Sequence, residues 1–227
     1  MGEVIGIVLL AAGESRRMGV PKQLLDVGGV PLLRRVAEAA VAAGTAQVVV
    51  VLGAHAAAVA PCLDGLRLHI VLHPGWAEGM GSSASVGVRA FTERVPDSRG
   101  VIIALADQPN LSAAHFLRLV EAHGRTGRPI VASLCRGALV PPAFFASECV
   151  PALLRLEGDA GARSLFKAHP DELATVAADD LSDIDTPKHY EDYLEILVGH
   201  SAETSVASSR VQTPAQNVGR NTRTDHV

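Results

Sequence analysis

Cysteines, aromatic side chains and long apolar runs are all scarce in this chain, and each shortage narrows what it can be. The three cysteines, Cys62, Cys135 and Cys149, are odd in number and show no CxxC spacing. That pattern argues against a disulfide framework and against a cysteine zinc site. Aromatic residues make up 4 % of the chain while apolar residues make up 48 %. The core must therefore come from Val, Leu, Ile and Ala, as in a parallel sheet covered by alanine-rich helices. No segment approaches the roughly 20 consecutive apolar residues that span a bilayer, so no membrane partner is expected. Met1-Gly2-Glu3 places no positive charge ahead of the first apolar run, so no secretory leader is expected and the reading is cytoplasmic. A polybasic block is also missing and the net charge is −4, which disfavours nucleic acid as a partner. The nine histidines are scattered without metal-ligand spacing, and Ser82 and Ser83 do not sit in a Gly-x-Ser-x-Gly elbow, which weakens a hydrolase reading.

What is present alternates between strand and helix patterns. Apolar runs at Val4–Leu10, Gln47–Leu52, Leu68–Leu72, Val101–Ala106, Ile130–Leu134 and Leu173–Ala177 read as strands. Between them, helices are predicted over Pro31–Ala43, Ala54–Leu63, Ser83 to about Phe91, Ser112 to about His123, Glu148–Leu156 and Gly161–His169. Ser112 can cap its helix, and Pro187 suits the first turn of a last helix ending near Val198. This order predicts an α/β fold, a three-layer Rossmann-like arrangement with a mostly parallel central sheet, over residues 1–198. From Gly199 the composition turns to Ser, Thr, Gln, Asn and Arg, so residues 199–227 are expected to form a disordered, dispensable tail.

The densest local signal is Leu10-Ala11-Ala12-Gly13-Glu14-Ser15-Arg16-Arg17-Met18-Gly19-Val20-Pro21-Lys22. A buried strand running into small residues lets the backbone approach a ligand closely, and free N–H groups there can cradle phosphate oxygens. Arg16, Arg17 and Lys22 bring the positive charge a triphosphate needs. Five residues separate Gly13 from Gly19 and no hydroxyl follows Lys22, so this is not a P-loop. Gly13 has no glycine two positions on, so it is not a dinucleotide fingerprint either.

Two further constellations accompany the loop. Asp107 emerges from the strand Val101–Ala106, and Pro109 turns the chain away after it. A carboxylate at a strand end suits Mg²⁺, which takes one or two carboxylates and completes its shell with water and substrate phosphates. A second carboxylate is available in Asp183-Ile184-Asp185-Thr186-Pro187. The turn Gly75-Trp76-Ala77-Glu78-Gly79-Met80-Gly81-Ser82-Ser83 offers N–H groups and hydroxyls without bulk, and such a loop can close over a base and ribose.

Together these motifs, with Lys22-Gln23-Leu24-Leu25 and Gly158-Asp159-Ala160-Gly161-Ala162-Arg163, resemble the molybdenum-cofactor branch of the glycine-rich-loop nucleotidyltransferases. The likeness is strongest to the molybdenum cofactor cytidylyltransferases, with the guanylyltransferases beside them, and covers roughly residues 4 to 198. The resemblance implies that Leu10, Ala11, Ala12 and Gly13 hold the triphosphate. Lys22 would supply charge to it, with Arg17 as a further phosphate contact. It also implies that Gly79, Gly81, Ser82 and Ser83 face the base and that Asp107 and Asp185 hold Mg²⁺, so that Lys22, Asp107 and Arg17 carry catalysis. The implied reaction is attack by an acceptor phosphate on the α-phosphorus of CTP, releasing pyrophosphate. The implied acceptor is a molybdopterin-type cofactor, and the implied partners are a molybdoenzyme or its chaperone. On the acceptor side the chain departs from the family pattern, carrying Cys135 and Val140 where an aromatic and a glycine are usual, ahead of Pro141-Pro142-Ala143-Phe144-Phe145.

Other readings stay open at this point. GTP could replace CTP, and a sugar or polyol phosphate could replace the pterin. From other classes, the chain could be an NAD(P)H-dependent oxidoreductase or a non-catalytic cofactor chaperone. Against the former, the second strand ends in Gly53-Ala54-His55, without the ribose-binding acid.

Overall fold

The computed structural model describes residues 4–159 and 161–209, with residues 200–209 described by their backbone alone. The strands are β1 (Ile5–Ala11), β2 (Gln47–Leu52), β3 (His69–Leu72), β4 (Gly100–Leu105), β5 (Ile130–Cys135), β6 (Ala138–Ala146) and β7 (Leu173–Ala178). The helices are α1 (Leu32–Ala42), α2 (Ala56–Val59), α3 (Met80–Arg94), α4 (Ala113–Thr126), α5 (Val150–Leu153), α6 (Arg163–Ala168) and α7 (Pro187–Ser209). The strands form one sheet in the order β3-β2-β1-β4-β6-β5-β7. It is the mostly parallel sheet expected of this fold class: β6 runs antiparallel to β4 and β5, and the other described pairings are parallel.

Burial on both faces explains the near-continuous apolar strands. In β1, Ile5, Ile7, Leu9 and Ala11 pack on the side covered by α1 and α4, while Val8 and Leu10 pack on the side of α3. Alternate side chains enter opposite layers, so neither set can be polar. Helix α3 lies unusually close to the sheet. A Cβ at Gly87 would stand 2.4 Å from a Val8 methyl, so only glycine permits that approach.

Three features depart from the sequence reading. Strand β6 was not expected, because Pro141 and Pro142 interrupt its pattern. Proline is tolerated inside a sheet only at bulges and edges, and the β5–β6 register shifts between Ala132 and Ser133, opposite the two prolines. The pairing of β6 with β4 begins only at Ala143, so neither proline is asked to donate there. The hairpin itself is signalled by Arg136-Gly137, both with positive φ (50° and 79°), the conformation of a type I′ turn. Helix predicted over Glu148–Leu156 shrinks to α5 after a 3₁₀ turn at Ser147–Cys149. The last helix, expected to end near Val198, runs through Ser209; of the predicted tail, residues 210–227 lie outside the described residues. Among the described residues no helix is long and apolar enough to cross a membrane.

The sheet positions the site by bringing the carboxyl ends of β1 and β4 side by side. Leu10 pairs with Leu105, and Ala106 donates its N–H to the Leu10 carbonyl at 3.1 Å. Asp107 therefore leaves the sheet level with the start of the glycine loop. Gln108 holds it there: its fully buried amide donates to the carbonyls of Pro141 (3.1 Å) and Leu181 (3.0 Å).

One buried polar chain under α4 makes the fold pH-sensitive. Ser133 Oγ donates to the Pro142 carbonyl (2.6 Å), so it accepts from His115 Nε2 (2.7 Å). That tautomer leaves His115 Nδ1 as the acceptor for the Arg118 guanidinium at 2.8 Å. Burial, followed by the Arg118 charge, pushes His115 down to about 4. Between about pH 4 and 6.5 the unfolded chain binds a proton that the folded chain refuses. The stabilisation is thus complete above pH 6.5 and is lost as the pH falls towards 4. We expect His115→Gln to remove from the pH–stability profile a slope totalling on the order of 3 kcal/mol over that window. Urea denaturation of both proteins at pH 7, 5.5 and 4.5 checks this, and parallel profiles would exclude it.

Candidate nucleotide-binding site

Backbone direction is the first fact of the site. In the loop after β1, every carbonyl from Ala11 to Ser15 accepts from a donor of the protein. Gln23 Nε2 donates to Ala11 O (2.9 Å) and Gly13 O (3.0 Å), and the Ala54 N–H donates to Ala12 O (3.1 Å). His55 Nε2 reaches Glu14 O at 3.0 Å, and the N–H groups of Met18 and Gly19 close on Ser15 O. Among the described residues, the N–H groups of Gly13, Glu14, Ser15, Arg16 and Arg17 have no protein acceptor. In a trans peptide the carbonyl and the N–H point opposite ways, so carbonyls held by the protein leave the N–H groups turned outward. Such a row of free donors is an anion-binding concavity. Ser15 makes it possible by adopting φ 61°, and its Oγ accepts from the Lys22 N–H at 3.1 Å.

Beside this loop stands an acidic group with a lysine in its midst. Lys22 Nζ lies 2.5 Å from Asp107 Oδ2 and 2.8 Å from Asp185 Oδ1, and Arg17 Nη2 lies 2.8 Å from Asp185 Oδ2. The Ile184 N–H bonds the Asp107 carbonyl at 2.9 Å, which fixes the 183–185 segment against the β4 turn. Burial pushes the Lys22 ammonium down, but the charges and hydrogen bonds of Asp107 and Asp185 outweigh it and hold it above its ordinary value. Asp185 is pushed up by burial and pulled further down by Lys22 and Arg17, so it stays below the usual carboxylate range. For Asp183 the balance runs the other way. Burial, then the charges of Asp107 and Asp185, push it up to about 6, and the Gln108 amide and the Lys22 charge only partly offset this.

Two further oxygens of this group, Asp107 Oδ1 and Asp183 Oδ1, are buried without a hydrogen-bond partner. Bare carboxylate oxygens next to a phosphate-shaped loop are the hard donors that a divalent cation takes. Among the described residues no three acidic, His or Cys side chains are arranged to hold an ion by themselves. The donor set therefore suits a cation such as Mg²⁺, which draws most of its shell from substrate phosphates and water.

The opposite wall is built backbone against backbone. Gly79 (φ 117°) has no room for a Cβ, which would meet the Gly158 carbonyl carbon at 2.4 Å, and the Gly81 N–H donates to Gly158 O at 2.7 Å. The resulting cleft, about 430 Å³, is lined by Leu10, Ala11, Ala12, Gly13, Lys22, Gly79, Ser83 and Asp107 of the expected residues. Trp76, Met80 and Asp159 complete the facing wall. Gly81 instead lies under the 157–158 backbone, and Ser82 Oγ is committed to the Gly79 carbonyl (2.9 Å) and His73 Nε2 (2.9 Å). Arg17 and Asp185 stand outside the cleft lining, on the acidic side. The sequence presents Gln23 only within the Lys22–Leu25 motif and assigns it no role, and it carries no signal for His55.

The chain is similar to known proteins in sequence and in fold. The model of the MobA-like NTP transferase domain family fits residues 7–173. Purine catabolism protein PucB of Bacillus subtilis (strain 168) is 34 % identical over 200 residues, covering 81 % of this chain and 93 % of that protein. Nicotine blue oxidoreductase of Paenarthrobacter nicotinovorans is 35 % identical over 170 residues, covering 72 % and 81 %. Among solved structures, Rv0371c of Mycobacterium tuberculosis H37Rv superimposes with a TM-score of 0.71 at 30 % identity, over 86 % of this chain and 99 % of that one. A second structure of that protein, at TM-score 0.70 and 27 % identity over 84 % and 98 %, is a complex with manganese. By the match over residues 7–173, the chain belongs to the MobA-like NTP transferase domain family and is a nucleotidyltransferase.

Proposed function

We propose that this nucleotidyltransferase transfers CMP from CTP to a phosphorylated acceptor, a molybdopterin-type cofactor, and releases pyrophosphate in a Mg²⁺-dependent reaction. The observation that carries the transferase half is the run of five unpaired N–H groups at Gly13–Arg17 beside Lys22 and Asp107. The N–H groups bind and align the triphosphate, and Lys22 neutralises it. An acceptor phosphate oxygen attacks the α-phosphorus, a new P–O bond forms, and the bond to the β-phosphate oxygen breaks with its electron pair leaving on pyrophosphate. The acceptor phosphate is already ionised near neutral pH, so no side chain need remove a proton, and positioning plus charge neutralisation supply the catalysis. Asp107 and the 183–185 carboxylates, Asp185 foremost, would hold the cation, whose chemistry is to offset the charge developing on the phosphates.

A second reading has one observation behind it, the name of the Paenarthrobacter relative, an oxidoreductase. In a dinucleotide site the residue after the second strand accepts from the ribose. Here the positions after β2 are committed to the phosphate loop, through the Ala54 N–H and His55 Nε2.

Pyrophosphate release measured with Mg²⁺, the pterin acceptor and each of CTP, GTP, ATP and UTP separates these readings. We expect release with CTP and no oxidation of NADH or NADPH. Release with GTP instead would move the base assignment, and NAD(P)H oxidation without release would replace the reading. Asp107→Asn should lower kcat by about 10²–10³-fold while the melting temperature stays near that of the wild type. A wild-type rate would remove Asp107 from the chemistry. Lys22→Met should lose roughly 10–100-fold in kcat/KM for the nucleotide, the worth of one charge-assisted hydrogen bond to phosphate. Steady-state kinetics with unchanged constants would refute that role.

A further inference from the structure

We infer that Gln23 is a positioning residue that makes the phosphate loop by holding two of its carbonyls, and that it touches no substrate itself. Its side chain is 3 % exposed, and its hydrogen-bonding capacity is used within the protein. Both N–H groups of the amide are spent, on Ala11 O and Gly13 O, while Oε1 accepts from Ser15 Oγ at 3.3 Å. A glutamine offers two donors and an acceptor, so none of its donors is left for a ligand.

The consequence follows from peptide geometry. The peptide joining Gly13 to Glu14 has its carbonyl on Gln23, so the Glu14 N–H is turned away from Gln23. The same holds for the peptide joining Ala11 to Ala12. The intervening Ala12 carbonyl is taken from a different side, by the Ala54 N–H. One side chain thus fixes alternate peptide planes of the loop, and among the described residues no backbone group does this for Gly13. Ser15 extends the device, because its Oγ links the Gln23 amide to the Lys22 N–H. Gln23 and Lys22 are neighbours on one 3₁₀ turn, Lys22–Leu24. The amide of one sets the loop while the ammonium of the other reaches Asp107 and Asp185. The ligand class this serves is a polyphosphate, and in that respect the inference rests on the nucleotide reading above.

The test uses inorganic tripolyphosphate with Mg²⁺ as the probe, so that neither base nor acceptor enters. Gln23→Met keeps the length and removes the donors. Titration calorimetry should show tripolyphosphate bound roughly tenfold or more weakly, the cost of losing the preformed donor row. Ser15→Ala, which leaves the core untouched, should weaken it about threefold in the same direction. Amide hydrogen exchange gives the readout that a packing role would not move. Tripolyphosphate should protect the N–H groups of residues 13–17 in the wild type and fail to do so in Gln23→Met, with β1 and β4 exchanging as before. Equal affinity in both variants, or exchange that rises across β1 and β4 instead, overturns the inference while leaving the nucleotide reading in place. A wild-type protein that does not bind tripolyphosphate overturns both.

Discussion

The site depends on the orientation of a handful of peptide planes. An unpaired backbone N–H in a loop is ordinarily a defect that water or a side chain repairs. Here the structure repairs only the carbonyl half, from Ala11 through Ser15, and presents the N–H half to the cleft. The donors doing this come from three places, the Gln23 side chain, the start of the segment after β2, and the loop's own turn at Met18 and Gly19. The parallel register of β1 with β2 brings the second of these within reach, since Ala11 pairs with Leu52. A phosphate loop of this kind is therefore a product of the sheet, and could not be stable as an isolated peptide.

Charge balance is the second constraint. Asp107, Asp183 and Asp185 converge where β4 meets the segment before α7, and three carboxylates there would repel one another. Lys22 resolves most of this by bonding two of them, and Asp183 gives way by holding its proton more tightly. The lysine thus has two possible customers, carboxylates and phosphates. On the proposed reading, a triphosphate that attracts its ammonium would free carboxylate oxygens at the same moment, which is when a cation carried by the phosphates would need them. The acidic cluster and the basic loop are in this sense one electrostatic unit.

Much of this could be read from residues alone, and the exceptions have definite causes. The strand–loop unit at residues 4–22 and the strand end at Asp107 follow from local pattern, whereas the pairing of that aspartate with Asp185 was implied only by the family resemblance. Strand β6 did not, because its prolines break the alternation and only the bulge opposite them makes the strand possible. The extent of α7 was missed for the opposite reason. Its Ser- and Thr-rich end carries no apolar stripe, so composition suggested coil where the backbone is helical. Gly81 and Ser82 belong to a glycine- and serine-rich turn that looks ligand-facing, yet one accommodates the 157–158 backbone and the other braces the turn itself. The role of Gln23 is not legible in its motif, because a buried amide whose donors both go to backbone carbonyls leaves no spacing pattern to find.

The two walls of the cleft are made of different materials, and that division bears on how such a fold acquires selectivity. The loop wall consists of unpaired N–H groups, and backbone donors carry no base selectivity. The facing wall consists of Gly79 and Gly81 pressed against the backbone of Glu157 and Gly158, with Trp76, Met80 and Asp159 around them. Contact between two backbones leaves no rotamer to adjust, so the position of that wall is set by the backbone of Glu157 and Gly158, which follows α5 in the chain. On the proposed reading, discrimination between bases rests on displacement of one loop relative to another rather than on a single reading side chain. The roles proposed for Lys22 and Asp107 can then stay constant while the facing wall is moved by changes outside the cleft.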